Sequence, residues 1–248
     1  MLYQPTIEKL HELRLFGMAK ALQEQAEMSQ CDALSFEDRL ALLVDREATE
    51  RENSRLQGRL KKAKLRLAAT IEDIDYRHPR GVDKALLLSL ARCQWIRAHQ
   101  NCIVIGPTGV GKSYLACALA HKACREGYKT RYVRAPRLFE EFTVAKADGR
   151  YRKILAAYAR IELLVIDDWG LATLTEEQRR DLLEIMDDRH DPRSTLIASQ
   201  IPVEKWHSVI GDPTLGDAIL DRLVHNAHKL VLKGDSLRKK HKKDIQES

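Results

Sequence analysis

No window of this chain approaches the roughly 18 consecutive apolar residues of a membrane span. The opening "MLYQPTIEKLHELRLFGMAKAL" carries acids throughout and no long apolar run, so it does not read as a signal peptide. The five cysteines, Cys31, Cys93, Cys102, Cys117 and Cys124, form no C-x-x-C pair. An odd set at these spacings reads as reduced, mostly buried thiols, and the expected location is the cytoplasm. No zinc-finger spacing is present, and no basic patch is interleaved with aromatics, so base-specific reading of a nucleic acid has no visible support. Acid is scarce in one place: in "RENSRLQGRLKKAKLR", Arg51 to Arg66, Glu52 is the only carboxylate.

What is present fits a globular protein with a polyanionic partner. The 248 residues are 44% apolar, enough to build a core, and the formal charge is +6. Residues 1–70 read as helices only, with a second helix capped by Ser35 and Asp38 and running on through the basic stretch, where Gly58 is a weak point. At helical spacing Arg55, Arg59, Lys62 and Arg66 fall on one stripe, and Lys61 and Lys64 add charge beside it. This rail is a candidate phosphate-contacting surface; the bland alternative is a solvated helix face. Residues 71–98 form a linker with the breaker "HPRG" and an entry helix from Val82 to Trp95.

From residue 99 to 233 short apolar strands alternate with helical patterns: Cys102–Ile105, Thr130–Val133, Leu163–Ile166, Thr195–Ser199 and His228–Leu232. The fold class is α/β, a five-stranded parallel sheet covered by helices. A basic tail, 234–248, follows.

"CIVIGPTGVGKSYLACALA" carries the strongest chemistry. Gly106 to Ser113 matches G-x-x-x-x-G-K-S between an apolar strand and a helix, the setting a phosphate-binding loop needs. The expected cradle is Gly106, Pro107, Thr108, Gly109, Val110, Gly111, Lys112, Ser113 and Tyr114. Its amides and the helix dipole face phosphate oxygens, Lys112 reaches the β- and γ-phosphates, and the Ser113 hydroxyl ligates Mg²⁺. In "LLVIDDWG", Asp167 at the end of a buried strand needs a cation to face and fits an Mg²⁺ ligand; Asp168 is placed to orient the attacking water, or else caps a turn. In "TLIASQIP", Ser199 or Gln200 is a candidate sensor of the γ-phosphate, with strand-end capping before Pro202 as the alternative. In "AILDRLVHNAHKL", Arg222 is a candidate arginine finger offered to a neighbouring subunit.

The order of these motifs resembles an AAA-plus ATPase of the initiator and helicase-loader group. The front half, "LHELRLFGMAKALQEQA" with "LSFEDRLALLVDREATERENSRLQGRLKKAKLR", resembles the IstB family of ATPase helpers encoded beside insertion-sequence transposases. The resemblance implies an ATP-hydrolysing enzyme with ATP and Mg²⁺ as cofactors. It also implies a homo-oligomer with ATP sites at subunit interfaces, double-stranded DNA bound with little sequence preference, and a cognate transposase as partner. Two departures are visible. Asp168 stands where most AAA-plus proteins have Glu, which implies slow hydrolysis suited to a switch. Few residues follow the last strand, so no helical lid domain is expected, and Arg238 is a stand-in for the lid arginine. A DnaC-like helicase loader shares the same engine. A metabolite kinase or a scaffold with a vestigial site fits the paired acids and the intact loop less well.

Overall fold

The computed structural model describes residues 3–28, 33–77, 81–234 and 236. Cys31, the breaker residues 78–80, Arg238 and the other tail cations lie outside them. The chain divides into two compact units, residues 1–58 and 59–248.

The first unit is helical. It opens with two helices, α1 (Tyr3–Glu12) and α2 (Phe16–Glu27), separated by a turn with Arg14 in the left-handed region at φ 58°. The helix α3 (Phe36–Ala63) begins as the sequence indicates: the Asp38 amide donates to the Ser35 hydroxyl at 3.1 Å. It is unbroken at Gly58 and leads into the second unit. Gly17 marks the crossing of α2 with α3, since a Cβ there would lie 2.7 Å from the Glu47 Cα. Glu47 accepts from the amides of Gly17 and Met18 at 2.8 and 3.2 Å, satisfying two donors at the start of α2. Burial works to raise its pKa, but the bond from Arg51 and the two amides outweigh this and hold it below the usual carboxylate value.

The second unit is built on a five-stranded parallel sheet in the order β2-β3-β4-β1-β5: β1 (Asn101–Ile105), β2 (Thr130–Arg134), β3 (Leu163–Trp169), β4 (Ser194–Ser199) and β5 (Ala227–Val231). Both faces are covered, which is why the strands read as continuous apolar runs. Cys102, Val104, Leu163, Val165, Leu196 and Ala198 pack toward α6 (Lys112–Arg125), whose Leu115, Ala116, Leu119 and Ala120 are all buried. Ile103, Leu164, Ile166 and Ile197 alternate to the other face, against α7 (Ala135–Ala147), α8 (Tyr151–Ala159), α9 (Glu176–Arg189) and α11 (Pro213–Val224). The entry helix forms as two pieces, α4 (Lys84–Ala91) and α5 (Gln94–Arg97), because Cys93 adopts φ 57° between them. A short α10 (Trp206–Ile210) precedes α11. Cys93, Cys102, Cys117 and Cys124 are free and buried; burial pushes Cys102 up to about 12, so these thiols serve as packing groups. No described helix is long and apolar enough to cross a membrane.

Candidate functional site

Strand β1 runs directly into the glycine-rich loop, and three glycines there answer distinct geometric demands. A Cβ on Gly106 would lie 2.7 Å from the Leu232 carbonyl oxygen, so only glycine lets the loop pass β5. Gly109 and Gly111 have φ 82° and 102°, conformations other residues rarely adopt. No side chain caps α6 at Gly111, so its first amides face the loop's interior. Val110 is fully buried against the core and anchors the loop. Lys112 is 8% exposed, and its Nζ donates to the Pro107 carbonyl at 2.8 Å.

The loop opens on a cavity of about 300 Å³ lined by Thr108, Gly109, Gly111, Lys112, Ser113 and Tyr114, together with Arg66, Leu67, Arg134, Asp168 and Gln200. The paired acids reach this place through an irregularity in the sheet. The β3–β4 register is broken between Ile166 and Trp169, and Asp168 takes φ 57° within it. Regular alternation would send neighbouring side chains to opposite faces; the bulge turns Asp168 toward the cavity. Asp167 is 1% exposed and held from two sides, by the Tyr132 hydroxyl at 2.6 Å and the Asp168 amide at 2.8 Å. Burial, and then the bond to Asp167, push the Tyr132 phenol well above its ordinary pKa, so it remains a donor. Asp168 bonds Arg134 at 2.5 Å and lies 3.8 Å from Arg66.

Ser199 and Gln200 have different fates. The Ser199 hydroxyl is fully buried, 3.0 Å from the Trp169 carbonyl and 3.1 Å from that of Ile201, and accepts from the Ile201 amide. It closes the end of β4. Gln200 lines the cavity, where its Oε1 accepts from the Thr108 hydroxyl at 2.6 Å. Arg222 stands elsewhere. Its backbone carbonyl receives a bond from Asn101, the first residue of β1, at 2.9 Å. The loop leaves the other end of that strand, about 13 Å away at four residue rises. The Arg222 side chain donates to the Ala218 carbonyl at 2.6 Å and pairs with Asp187. Ser236 lies against Gly109, two residues before the position read as a lid stand-in.

The basic rail is only partly a rail. Helix α3 stops at Ala63 and Lys64 takes φ 52°, which throws Arg66 off the stripe and into the nucleotide-loop cavity. Arg59 donates to the Cys124 carbonyl at 2.7 Å, at the end of α6. Arg55 is exposed beside Glu52. Lys61, Lys62 and Lys64 are exposed and, with Arg131, rim a second cavity of about 420 Å³ floored by Ile154, Ala157 and Ile161.

Arg134 and Tyr132, beside this cavity and its acids, are not singled out in the sequence, and Arg66 is read there only as part of the rail. "TRYVR" holds two of them, but their role appears only when β2 lies beside β3 with Arg134 opposite Asp167. Among the described residues no group of three or more His, Cys, Asp or Glu could hold a metal ion. Ser113 and Asp167 suit a hard cation that takes its remaining ligands from phosphate and water, as Mg²⁺ does. The glycine cradle fits a polyphosphate for the same reason that it excludes side chains.

Over residues 8–245 the chain matches the family model described as IstB-like ATP binding protein. A protein named as an insertion sequence ATP-binding protein, y4pL of Sinorhizobium fredii, is 51% identical over 239 residues, 96% of this chain and 98% of that one. The ATP-binding protein of insertion sequence IS1162 from Pseudomonas fluorescens is 48% identical over 203 residues, 82% of this chain and 88% of that one. Among solved structures, the DnaC helicase loader superposes with a TM-score of 0.57 at 22% identity, covering 69% of this chain and 100% of that one. That likeness shows the fold of the parallel-sheet core. The chain belongs to the IstB-like ATP binding protein family.

Proposed function

We propose that this protein is the ATP-hydrolysing helper of an insertion-sequence transposase, assembling on double-stranded DNA to select it as a target. The observation that carries the ATPase reading is the meeting of the glycine cradle, Lys112 and Asp168 in one cavity, with Asp167 fixed behind it. The transposition role rests on family membership and on insertion-sequence relatives matched along almost the whole chain. The helicase-loader alternative shares this core, and pull-down against a transposase and a replicative helicase separates the two.

In this reading the loop amides and Lys112 bind the β- and γ-phosphates. Ser113 and Asp167 hold Mg²⁺, which neutralises phosphate charge. Gln200 reports on the γ-phosphate through its contact with Thr108. Asp168 orients water. ATP turnover, stimulated by DNA and lost on substitution of Lys112, is the direct test.

Arg222 acts in trans, because it sits at the opposite end of β1 from its own loop. Arg222→Ala is expected to bind ATP normally and lose turnover by about 10³-fold or more. Mixing it with Lys112→Ala should restore part of the activity, since one subunit supplies the pocket and the other the arginine. Failure of every mixing ratio to rescue turnover would rule the trans role out.

For DNA, the exposed cations Lys61, Lys62 and Lys64 are the best-placed group, with Arg55 further back on α3. Replacing the three lysines by glutamine is expected to weaken binding similarly across DNA sequences. The slope of log K against log salt should become shallower by about 0.9 for each phosphate that is no longer neutralised. An unchanged slope, with binding abolished by truncation after Gly234, would move the DNA site to the tail.

A further inference from the structure

Arg66 presents a chemical puzzle: it belongs by sequence to the basic rail, yet its guanidinium lines the cavity that holds Lys112, Ser113 and Asp168. It lies 3.8 Å from the Asp168 carboxylate, and Asp167 beside it accepts from the Tyr132 hydroxyl at 2.6 Å. One arginine therefore pairs with the less buried acid of the site from within the cavity of the phosphate loop.

The segment that carries Arg66 is fastened along the helix that follows the phosphate loop. Arg59 holds the Cys124 carbonyl near the end of α6. Ala63 is fully buried, and Leu65 packs against the same core cluster as α6. Arg66 and Leu67 line the loop cavity together with Ser113 and Tyr114 of the first turn of α6. Residues 59–67 thus form a strap over α6 from its far end toward the nucleotide loop, and Arg66 is where the strap enters the pocket. The exposed lysines 61, 62 and 64 ride on the same strap.

A polyphosphate in the cradle would bring more negative charge to Arg66 than Asp168 does. Guanidinium is suited to this exchange, because its planar fork binds phosphate and carboxylate oxygens alike. We infer that Arg66 is a γ-phosphate-reading arginine supplied in cis, which exchanges Asp168 for the terminal phosphate of ATP and so couples nucleotide state to the lysine-bearing strap. The inference rests on the ATP reading given above. By linkage, whatever ATP does to the strap's DNA affinity, DNA must do to ATP affinity.

The test is equilibrium binding of Mg²⁺-ATP and Mg²⁺-ADP to the full chain, with and without duplex DNA, for the parent, Arg66→Gln, Arg66→Lys and Lys112→Ala. Arg66→Gln should lose about tenfold or more in ATP affinity while ADP affinity stays within twofold. Arg66→Lys should recover part of that loss. The change DNA makes in parental ATP affinity should shrink toward none in Arg66→Gln. Equal weakening of ATP and ADP, or no change in either, in both Arg66 variants overturns the inference, as does DNA coupling that survives in Arg66→Gln. Failure of the ATP reading looks different: the parent then binds neither nucleotide, or Lys112→Ala binds both as the parent does.

Discussion

Lys112→Ala is expected to remove ATP turnover, by about 10²–10³-fold or more, and to leave the fold in place. Lys112 is the first residue of α6 and is 8% exposed, so much of its side chain is shielded from water where it lines the cavity. Its bond to the Pro107 carbonyl holds it within the loop, already aimed along the cradle. A point charge so placed binds the developing charge between the β- and γ-phosphates without having to reorganise. Alanine is the best helix former and fits the start of α6, and the sheet beneath does not depend on the lysine. The variant should therefore keep the parental denaturation midpoint while losing nucleotide. Steady-state phosphate release and nucleotide binding are the measurements. A folded variant with parental turnover would show that the cavity is not the ATP site.

The nucleotide-binding core was legible in the sequence because its signals are local. The strand, loop and helix around "GPTGVGKS" need no distant residue to be recognised, and all five strands lie within one residue of their expected starts. The place of the acids at the end of β3 was legible for a similar reason, since a carboxylate closing a buried apolar run is costly without a partner. Their geometry was not, because the bulge that turns Asp168 depends on how β3 registers with β4. The arginines were misread or missed for the opposite reasons. Helical periodicity carried Arg66 onto a stripe, but the helix ended three residues earlier, at Ala63. Arg134 is an ordinary strand-end arginine until β2 is placed next to β3. Between Ser199 and Gln200 the sequence offers no distinction; in the structure the Ser199 hydroxyl is buried among backbone partners and Gln200 lines the cavity.

Asp168→Asn is expected to separate binding from hydrolysis. Asparagine tolerates the left-handed backbone that Asp168 adopts at φ 57°, so the bulge and the cavity should survive the change, which alanine does not guarantee. The amide still hydrogen-bonds but no longer polarises water as an anion, and turnover should fall by about 10²–10⁴-fold. Binding should move the other way. Asp168 places a negative charge in the cavity and occupies Arg134 at 2.5 Å and Arg66 at 3.8 Å. Neutralising it removes a repulsion against the γ-phosphate and releases both arginines toward it. ATP should then bind at least as tightly as in the parent, and the ATP-bound assembly should persist on DNA long after the parent has dissociated. Dissociation after dilution into excess competitor DNA, followed beside phosphate release, reads both halves at once. Parental turnover in Asp168→Asn would make the residue a structural cap of the bulge. Weakened ATP binding would mean that the carboxylate helps hold the nucleotide instead of standing in its way.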